Sequence, residues 1–483
     1  MMQKPKSKHA VEAASDICRM SAVELAAAMR AKTLSSREVV TAFLDRIEAV
    51  NPKVNAVVSL RPRDEILRDA DAADEAIASG STGALLGLPM AIKDLALTKG
   101  LRTTFGSPIF KDHVPEEDEF FVERVKATGA IVIGKTNVPE FGLGSHTYNN
   151  VFGATSNAFD PAISAGGSSG GAAVSLALDM LPVADGSDFG GSLRNPACWN
   201  NVFGFRPSQG LVPSGPSKDD FIAQMGVEGP MGRTVADVAL LLSAQAGHDP
   251  RAPLSWGHRG GFTDLGTPRR GFRIGWMGNL GGHLPIEDGI LSLCEDALRR
   301  FEGEGAAIEP AVPAFDFEKL WNAFVTIRHA TSGMGLKEHY DDPAKRALLK
   351  PEAIFEVEGG LRLTAPQIRD ATVTRSGWYK TMLALFERFD FLALPVAAVF
   401  PFDINEHWPK EIAGRKMTSY HRWLEVCSYA TLAACPAISL PAGFDARGRA
   451  MGLQLIGRPR GDREVLEAAG VYEQAMPWTY GIG

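Results

Sequence analysis

The chain has 483 residues, of which 45% are hydrophobic and 22% charged, and its formal net charge is -7 at pH 7. This composition is that of a soluble globular protein and excludes extended disorder, and the mild negative charge predicts no nucleic-acid partner and no attraction to acidic membranes. The five cysteines are scattered without a CxxC pair, which argues against a disulfide framework and a zinc site and favours a reducing compartment.

The N-terminal end predicts neither a signal peptide nor a membrane anchor. Residues 1–15 are expected to form a flexible tail, and their basic start is not followed by an apolar h-region. The most apolar stretch, residues 172–184, is too short to span a membrane and contains Asp179 and Pro182. We therefore expect a cytoplasmic protein that does not associate with membranes.

Three helices are predicted before residue 80. The segments 21–30 and 35–50 are amphipathic, and each opens with a capping box, in which a serine is followed at the third position by a glutamate. The segment 63–79 is rich in alanine, aspartate and glutamate, which is typical of a solvent-facing helix.

From residue 88 onward, short apolar runs between glycines and prolines alternate with helical patterns. Strands are predicted at 89–93, 130–134, 181–184, 272–277, 391–396, 437–440 and 451–456. Helices are predicted at 119–128, 172–180, 286–302 and over most of 317–380, and a surface excursion or linker at 247–270. This alternation predicts an α/β fold in which helices cover a sheet. Because strands occur on both sides of the helical segment, we expect one domain with an embedded variable region.

Two glycine–serine loops and one lysine carry the chemical signal. The loops are GGSSGG at 166–171 and GGSLR at 190–194, and Lys93 ends an apolar run. Cleavage of an acyl bond through a serine needs a base, an attacking oxygen and donors for the developing oxyanion. A lysine becomes a base when burial or positive neighbours lower its pKa. The layout therefore predicts a serine hydrolase that acts on an amide-like bond without a histidine.

The second loop also offers the oxyanion donors. Its glycines would let the backbone N–H groups of Phe189, Gly190 and Gly191 approach a carbonyl oxygen without an intervening Cβ atom.

Taken together, these motifs resemble the amidase signature family of serine hydrolases. The relay serine of that family lies in GGSSGG, and its nucleophile lies in a D-x-GGS-x-R segment, here 188–194. Further matching segments are GKTN at 134–137, PEF at 139–141 and GLQLIG at 452–457. The resemblance implies that Lys93 is the base, Ser168 the relay with a cis peptide bond, and Ser192 the nucleophile. One departure is Phe189, where the family most often has a small β-branched residue or isoleucine.

The resemblance implies more about the whole chain. It implies a large, mixed and twisted central sheet covered by helices on both faces, within one amidase domain over 16–483. The signature core would cover about 83–210, and a variable, substrate-determining region about 215–430. Gly142, which follows PEF, becomes a candidate substrate contact. No metal and no cofactor are expected, and the partner would be a small-molecule amide, ester or carbamate bound by a monomer or homodimer.

Other motif matches are interpreted as structural. Residues 129–136 fit the phosphate-loop expression GxxxxGKT, but the four middle residues are apolar and predict a strand. Residues 167–171 fit GxSxG, yet nothing singles out a histidine and an acid for an α/β-hydrolase triad. Cys198 lies in an apolar context and is interpreted as a buried structural thiol. Asp188 and Arg194 are interpreted as a local ion pair or a set of backbone hydrogen bonds around the nucleophile loop.

Three functions are compatible with these residues. The first is a stand-alone amidase that forms a serine acyl-enzyme and has ester or urethane cleavage as a side activity. The second is the glutaminase subunit of a tRNA-dependent amidotransferase. The segment 137–141 disfavours it, because that segment looks more like those of the free-standing amidases. The third is an inactive binding protein, which is disfavoured because all three catalytic positions are intact.

Overall fold

The computed structural model describes residues 8–9, 15–258, 261–265 and 271–476. Its helices are α1 (Asp16–Arg19), α2 (Ala22–Arg30), α3 (Ser36–Val54), α4 (Arg63–Ala78), α5 (Phe120–Ala127), α6 (Gly170–Ala177), α7 (Arg194–Asn200), α8 (Val235–Gln245), α9 (Ile290–Gly303), α10 (Phe317–Arg328), α11 (Lys337–Asp341), α12 (Pro343–Arg346), α13 (Pro351–Leu361), α14 (Ala365–Phe386), α15 (Glu425–Leu432) and α16 (Asp462–Gln474).

The strands are β1 (Val57–Val58), β2 (Pro89–Lys93), β3 (Ile131–Thr136), β4 (Tyr148–Asn149), β5 (Gly153–Ala154), β6 (Val183–Asp188), β7 (Phe203–Arg206), β8 (Val227–Gly232), β9 (Arg273–Trp276), β10 (Ala307–Pro310), β11 (Phe391–Pro395), β12 (Glu411–Ile412), β13 (Arg415–Lys416), β14 (Ala437–Phe444) and β15 (Ala450–Ile456). The predicted tail at 1–15 and the predicted excursion at 247–270 lie partly outside the described residues.

A mixed eight-stranded sheet with the strand order β10-β9-β11-β15-β14-β7-β8-β6 forms the centre of the molecule. The neighbours β10, β9 and β11 are parallel, and every other neighbouring pair is antiparallel. The α/β prediction with a large mixed sheet is therefore confirmed. A separate three-stranded sheet, β1-β3-β2, packs against β6 through β2.

Helices α2 and α3 begin where the sequence predicted, whereas the short helix α1 before them was not predicted. In α2 and α3, the capping serine accepts from the backbone of the glutamate at the third position, and that glutamate accepts from the serine backbone. Each box therefore satisfies two N–H groups that the helix itself leaves unpaired. Helix α3 continues four residues beyond the predicted end and stops at Asn55, which has the left-handed conformation.

The phosphate-loop match is a buried strand, as predicted. Residues 131–136 form β3, every residue of which is buried. Its Lys135 donates through Nζ to the Ala96 carbonyl at 2.6 Å and to Thr98 Oγ1 at 2.8 Å. The amine of this lysine is therefore used in hydrogen bonds within the protein interior.

The middle of the chain departs from the prediction in several places. Strand β6 extends to Asp188, four residues beyond the predicted end, and β7, β8 and α8 were not predicted. The segment 317–380 is divided into several helices, and a π-helical turn, His329–Gly333, directly follows α10.

The largest cluster of buried apolar side chains includes residues from Cys18 near the start of the described chain to Tyr472 near its end. That residues 16–483 form a single domain stays a prediction.

Candidate active site

Lys93 ends strand β2 in the interior, with 1% of its surface exposed. Its backbone N–H lies 3.1 and 3.2 Å from the two carboxylate oxygens of Asp185 on β6. Asp185 therefore fixes the end of one sheet against the edge strand of the other, which determines where the lysine side chain starts.

The Lys93 amine is surrounded by hydroxyl groups. Nζ lies 2.8 Å from each of the Oγ atoms of Ser168, Ser169 and Ser187, and 3.3 Å from the Ser187 carbonyl. A neutral amine has two N–H donors and one lone pair, so one of these hydroxyls can donate to it. The structure therefore brings the predicted base and the predicted relay into direct hydrogen-bonding contact.

The surroundings of Lys93 lower its pKa to about 8. Burial disfavours the charged ammonium, and the carboxylates of Glu228, Asp185 and Asp188 offset part of that effect. Glu228 pairs with Ser187 across the antiparallel strands β6 and β8, so the two side chains extend to the same face of the sheet. The ammonium is thus a stronger acid than that of a surface lysine and loses its proton closer to neutral pH.

Ser168 lies in the loop that leads into α6 and is 2% exposed. The peptide bond between Gly167 and Ser168 is cis, as the resemblance implied. Close packing explains the last glycine of this loop. A Cβ atom on Gly171 would lie 2.4 Å from the Asn137 backbone nitrogen and 2.5 Å from the Ala56 carbonyl oxygen.

Ser192 lies in the turn between β6 and α7, and it is half-buried. Its carbonyl accepts a hydrogen bond from the Ser169 N–H at 3.3 Å, which joins the two glycine–serine loops. The structure therefore places the predicted nucleophile loop beside the loop that carries the predicted relay. No hydrogen bond to the Ser192 hydroxyl is formed by the residues that the structure describes, and none joins it to Ser168.

The carboxylate of Asp188 fixes the predicted nucleophile loop through hydrogen bonds. Its carboxylate accepts from the backbone N–H groups of Gly191 at 2.9 Å and Leu193 at 3.2 Å, and from the Arg194 guanidinium at 2.9 and 3.0 Å. Burial alone would raise the pKa of Asp188, but Arg194 and Arg206 hold it well below its usual range. The interpretation of Asp188 and Arg194 as a structural ion pair is confirmed.

Two of the three predicted oxyanion amides are available. Because the Gly191 N–H already donates to Asp188, that amide is occupied by the loop itself. In the described part of the chain, the N–H groups of Phe189 and Gly190 donate to no protein acceptor.

Gly142, the predicted substrate contact, lies beside Ser168. Its φ is +69°, and a Cβ atom at this position would lie 3.4 Å from Ser168 Oγ and 2.8 Å from Leu95 Cδ1. Any side chain here would therefore fill the space next to Ser168.

Several residues that the sequence did not single out complete the site. Asp185 and Ser187 are two residues apart on β6, so their side chains lie on the same face of the strand. This i, i+2 spacing is the signal that could have placed both of them towards Lys93. Gln454, within the GLQLIG segment, accepts from Arg194 Nη1 at 2.8 Å and so connects β15 to the nucleophile loop.

Three other features would bear on function: a reactive Cys198, a group of metal-ligating side chains, and a membrane-spanning helix. Cys198 is fully buried, and burial raises its pKa well above the usual value, so its structural interpretation is confirmed. Within the described ranges, no three His, Cys, Asp or Glu side chains are grouped so that they could ligate a metal ion. The helices described in the structure include none that is long and apolar enough to cross a bilayer.

Comparisons with known proteins agree on one family. The profile of a protein family described as Amidase matches residues 38–466. An acylamidase of Rhodococcus erythropolis is 34% identical over 95% of this chain and 96% of its own length. A glutamyl-tRNA(Gln) amidotransferase subunit of Geobacter metallireducens is 32% identical, over 94% and 97% of the two chains. The crystal structure of a bacterial aryl acylamidase of the amidase signature family superposes with a TM-score of 0.90 at 30% identity, covering 96% and 98% of the chains.

Proposed function

The chain belongs to the amidase signature family, and from this premise we propose that it hydrolyses a small amide, anilide or carbamate through a serine acyl-enzyme. Ser192 is the nucleophile, Lys93 the base and Ser168 the relay in this proposal. The observation that carries it is the 2.8 Å contact between Lys93 Nζ and Ser168 Oγ, made by an amine that is 1% exposed.

The proposed reaction begins with neutral Lys93. Its lone pair takes the proton of the Ser168 hydroxyl while Ser168 takes the proton of Ser192, and Ser192 Oγ attacks the carbonyl carbon. The N–H groups of Phe189 and Gly190 stabilise the oxyanion, and donors of this kind lower the barrier by about 3–4 kcal/mol. The proton then returns through Ser168 to the leaving nitrogen, the C–N bond breaks, and water hydrolyses the acyl-enzyme by the same proton path.

The test is a panel of anilide, primary amide, ester and carbamate substrates. We expect the wild type to cleave at least one C–N substrate and to accumulate an acyl-enzyme of the expected mass. Ser192→Ala should abolish both signals, and Ser168→Ala should reduce turnover by about 10²–10⁴-fold, since it removes a positioned acid–base group. Ser175→Ala is a matched control, because the Ser175 hydroxyl donates to the Gly171 carbonyl within α6.

Two outcomes would contradict this proposal. One is hydrolysis that survives Ser192→Ala in folded protein, and the other is the absence of any turnover by the wild type across the whole panel.

A second candidate is the glutaminase subunit of a tRNA-dependent amidotransferase. The similarity to one subunit of such an enzyme, at 32% identity over nearly the whole chain, favours it. The similarity to an acylamidase and to an aryl acylamidase structure favours the stand-alone amidase. Glutaminase activity that appears only with partner subunits, and none on anilides, would select the second candidate.

The remaining details belong to the same proposal. We propose esters as side substrates, residues of about 215–430 as the substrate-determining region, and a cytoplasmic monomer or homodimer. The mass of the purified protein in solution tests directly whether it is a monomer or a homodimer.

A further inference from the structure

Helix α10 crosses the nucleophile loop with its last turn. The ring of Phe324 packs edge-to-face against Phe189, with the centroids 5.8 Å apart, and a Cβ atom on Gly190 would lie 3.3 Å from Phe324 Cζ. One turn later, the guanidinium carbon of Arg328 lies 5.0 Å from the Phe189 ring centroid. Arg328 therefore stands beside the residue whose amide is a proposed oxyanion donor.

A second path of contacts connects Arg328 to the relay. Arg328 Nη2 donates to the hydroxyl of Tyr420 at 3.2 Å. The Tyr420 ring in turn lies 3.7 Å from where a Cβ atom on Gly144 would be, and Gly142 in the same loop faces Ser168. Arg328 thus contacts Phe189 in the nucleophile loop directly, and it is connected to the loop 142–144 through Tyr420.

One edge of this guanidinium has no protein partner. Nε donates to Glu356 at 2.7 Å and Nη2 to Tyr420, whereas Nη1 donates to no acceptor among the described residues. The side chain is only 9% exposed. Nη1 is not one of the side-chain atoms that are closed off without a partner, so its two N–H groups reach the accessible surface. A largely buried donor that keeps this opening and has no protein acceptor is suited to an incoming ligand.

The backbone at Arg328 is also unusual. The π-helical turn His329–Gly333 begins immediately after Arg328. Such turns are rare and occur frequently at functional sites.

The charge of Arg328 is already balanced. Glu356 is fully buried, accepts from Arg328, from His329 Nδ1 at 2.8 Å and from the Tyr420 hydroxyl, and lies 3.6 Å from His421 Nε2. Burial would raise the pKa of Glu356, but Arg328 holds it well below its usual range. Burial lowers the pKa of His421 to about 3, so that ring is neutral. The free edge therefore suits a neutral oxygen acceptor better than a second carboxylate.

We propose that Arg328 Nη1 binds a neutral oxygen acceptor of the substrate, a ketone, ester or second amide carbonyl, at a distance from the bond that is cleaved. The substrate class is then an amide that carries a second oxygen function on its acyl or its amine part. This inference rests on the proposed function and deepens it.

The test measures binding rather than turnover, on the Ser192→Ala protein. The ligands form two pairs in which a ketone oxygen is replaced by a methyl group: 4-oxopentananilide with 4-methylpentananilide, and 4′-acetylacetanilide with 4′-isopropylacetanilide. The first pair probes the acyl part and the second the amine part. In one pair we expect the ketone to bind about tenfold more tightly by calorimetry, as one hydrogen bond to a charged donor allows.

Arg328→Lys, added to Ser192→Ala, should reduce this preference to within about twofold. The lysine keeps a positive charge for Glu356, and the double change Arg328→Met with Glu356→Gln removes both charges together, so neither variant leaves Glu356 as a buried charge without a partner. Arg422→Lys is the matched control: Arg422 also pairs with a glutamate and lies over an aromatic ring, that of Trp321, at 5.1 Å.

The inference is overturned by equal binding within both pairs, by a preference that survives both Arg328 variants, or by no binding of any of the four ligands. Wild-type turnover of the same anilides reports separately on the proposed function. A ketone preference that depends on Arg328, in a protein that hydrolyses nothing in the whole substrate panel, would remove the proposed reaction and leave the subsite.

Discussion

At the scale of single residues, the unusual feature is how many oxygen atoms surround one amine. Three serine hydroxyls and a carbonyl lie within 3.3 Å of Lys93 Nζ. They come from two separate segments, the loop 166–171 and strand β6, so the amine is held in place whichever hydroxyl donates to its lone pair. In the proposed reaction, this keeps the amine beside Ser168 both when it accepts the proton and when it returns it.

The pKa of Lys93 predicts how activity depends on pH. Because burial lowers this pKa to about 8 and only the neutral amine accepts a proton, kcat/KM should rise with pH through about 8 and then level off. Glu228 is the carboxylate that opposes this shift most strongly. Burial raises the pKa of Glu228 itself well above its usual value, so Glu228 and Lys93 titrate as one interacting pair. Glu228→Gln removes the group that can stabilise the ammonium, so the rising limb should move to lower pH.

The measurement is a pH profile of kcat/KM on one anilide substrate. Glu302→Gln, an exposed position on α9, is the control and should leave the profile unchanged. A limb that moves to higher pH in Glu228→Gln, or a wild-type profile that does not rise through about 8, would contradict the assignment of Lys93 as the base.

Much of the residue-scale arrangement could be predicted from sequence. Lys93 and Ser168 were identified from their motifs, and the structure places them in contact. The positions of Ser187 and Glu228 around the amine could not be predicted, because they depend on the register between β6 and β8. The hydrogen bond from the Gly191 amide to Asp188 depends on loop geometry that composition does not encode.

At the scale of elements, the site lies where separate structures meet. Strand β2 of the small sheet delivers Lys93, β6 of the central sheet delivers Ser187 and Asp185, and α10 covers the nucleophile loop. The junction tolerates little extra volume, because backbone faces backbone at the start of α6.

Gly171→Ala should therefore be strongly destabilising. The new methyl group would meet main-chain atoms of Asn137 and Ala56, which belong to packed segments and cannot rotate away. We expect a loss of roughly 3 kcal/mol or more in the free energy of unfolding, measured by urea denaturation.

Gly470→Ala on α16 provides the contrast. Nothing lies within 4 Å of the position where its Cβ atom would be. Alanine in the middle of a helix should stabilise the protein by about 0.5–1 kcal/mol. Equal effects of the two substitutions would contradict the packing described at Gly171.

Elements with strong local signals were predictable, whereas those specified by distant partners were not. The capping boxes of α2 and α3 are contained within a few residues, so their starts could be read directly. Strand β8 contains Glu228 and three residues of glycine or proline, a composition unfavourable for a strand. It forms because β6 and β7 pair with it on its two sides.

At the scale of the whole molecule, burial extends to every cysteine. The five thiols are at most 1% exposed, and burial raises the pKa of each. A thiol reacts as the thiolate, so both access and ionisation are suppressed in the folded state.

Thiol labelling should consequently report on unfolding. In native protein at pH 8, we expect a maleimide of ordinary size to label no cysteine within minutes, by intact mass. In concentrated urea, where an unfolded thiol has a pKa of about 8.5, all five should react. Rapid labelling of one site in the native protein would show that the region around that cysteine opens locally.

The Asp188 carboxylate has a consequence for inhibition. It fixes the amides of Gly191 and Leu193 and the side chain of Arg194 without any contribution from a ligand. The turn around Ser192 is therefore preorganised, and an incoming molecule does not lose affinity by ordering it. Boronic acids and trifluoromethyl ketones, which become tetrahedral on attack, would meet a surface already shaped for them. Their association would then be limited by entry into the pocket and not by rearrangement of the turn.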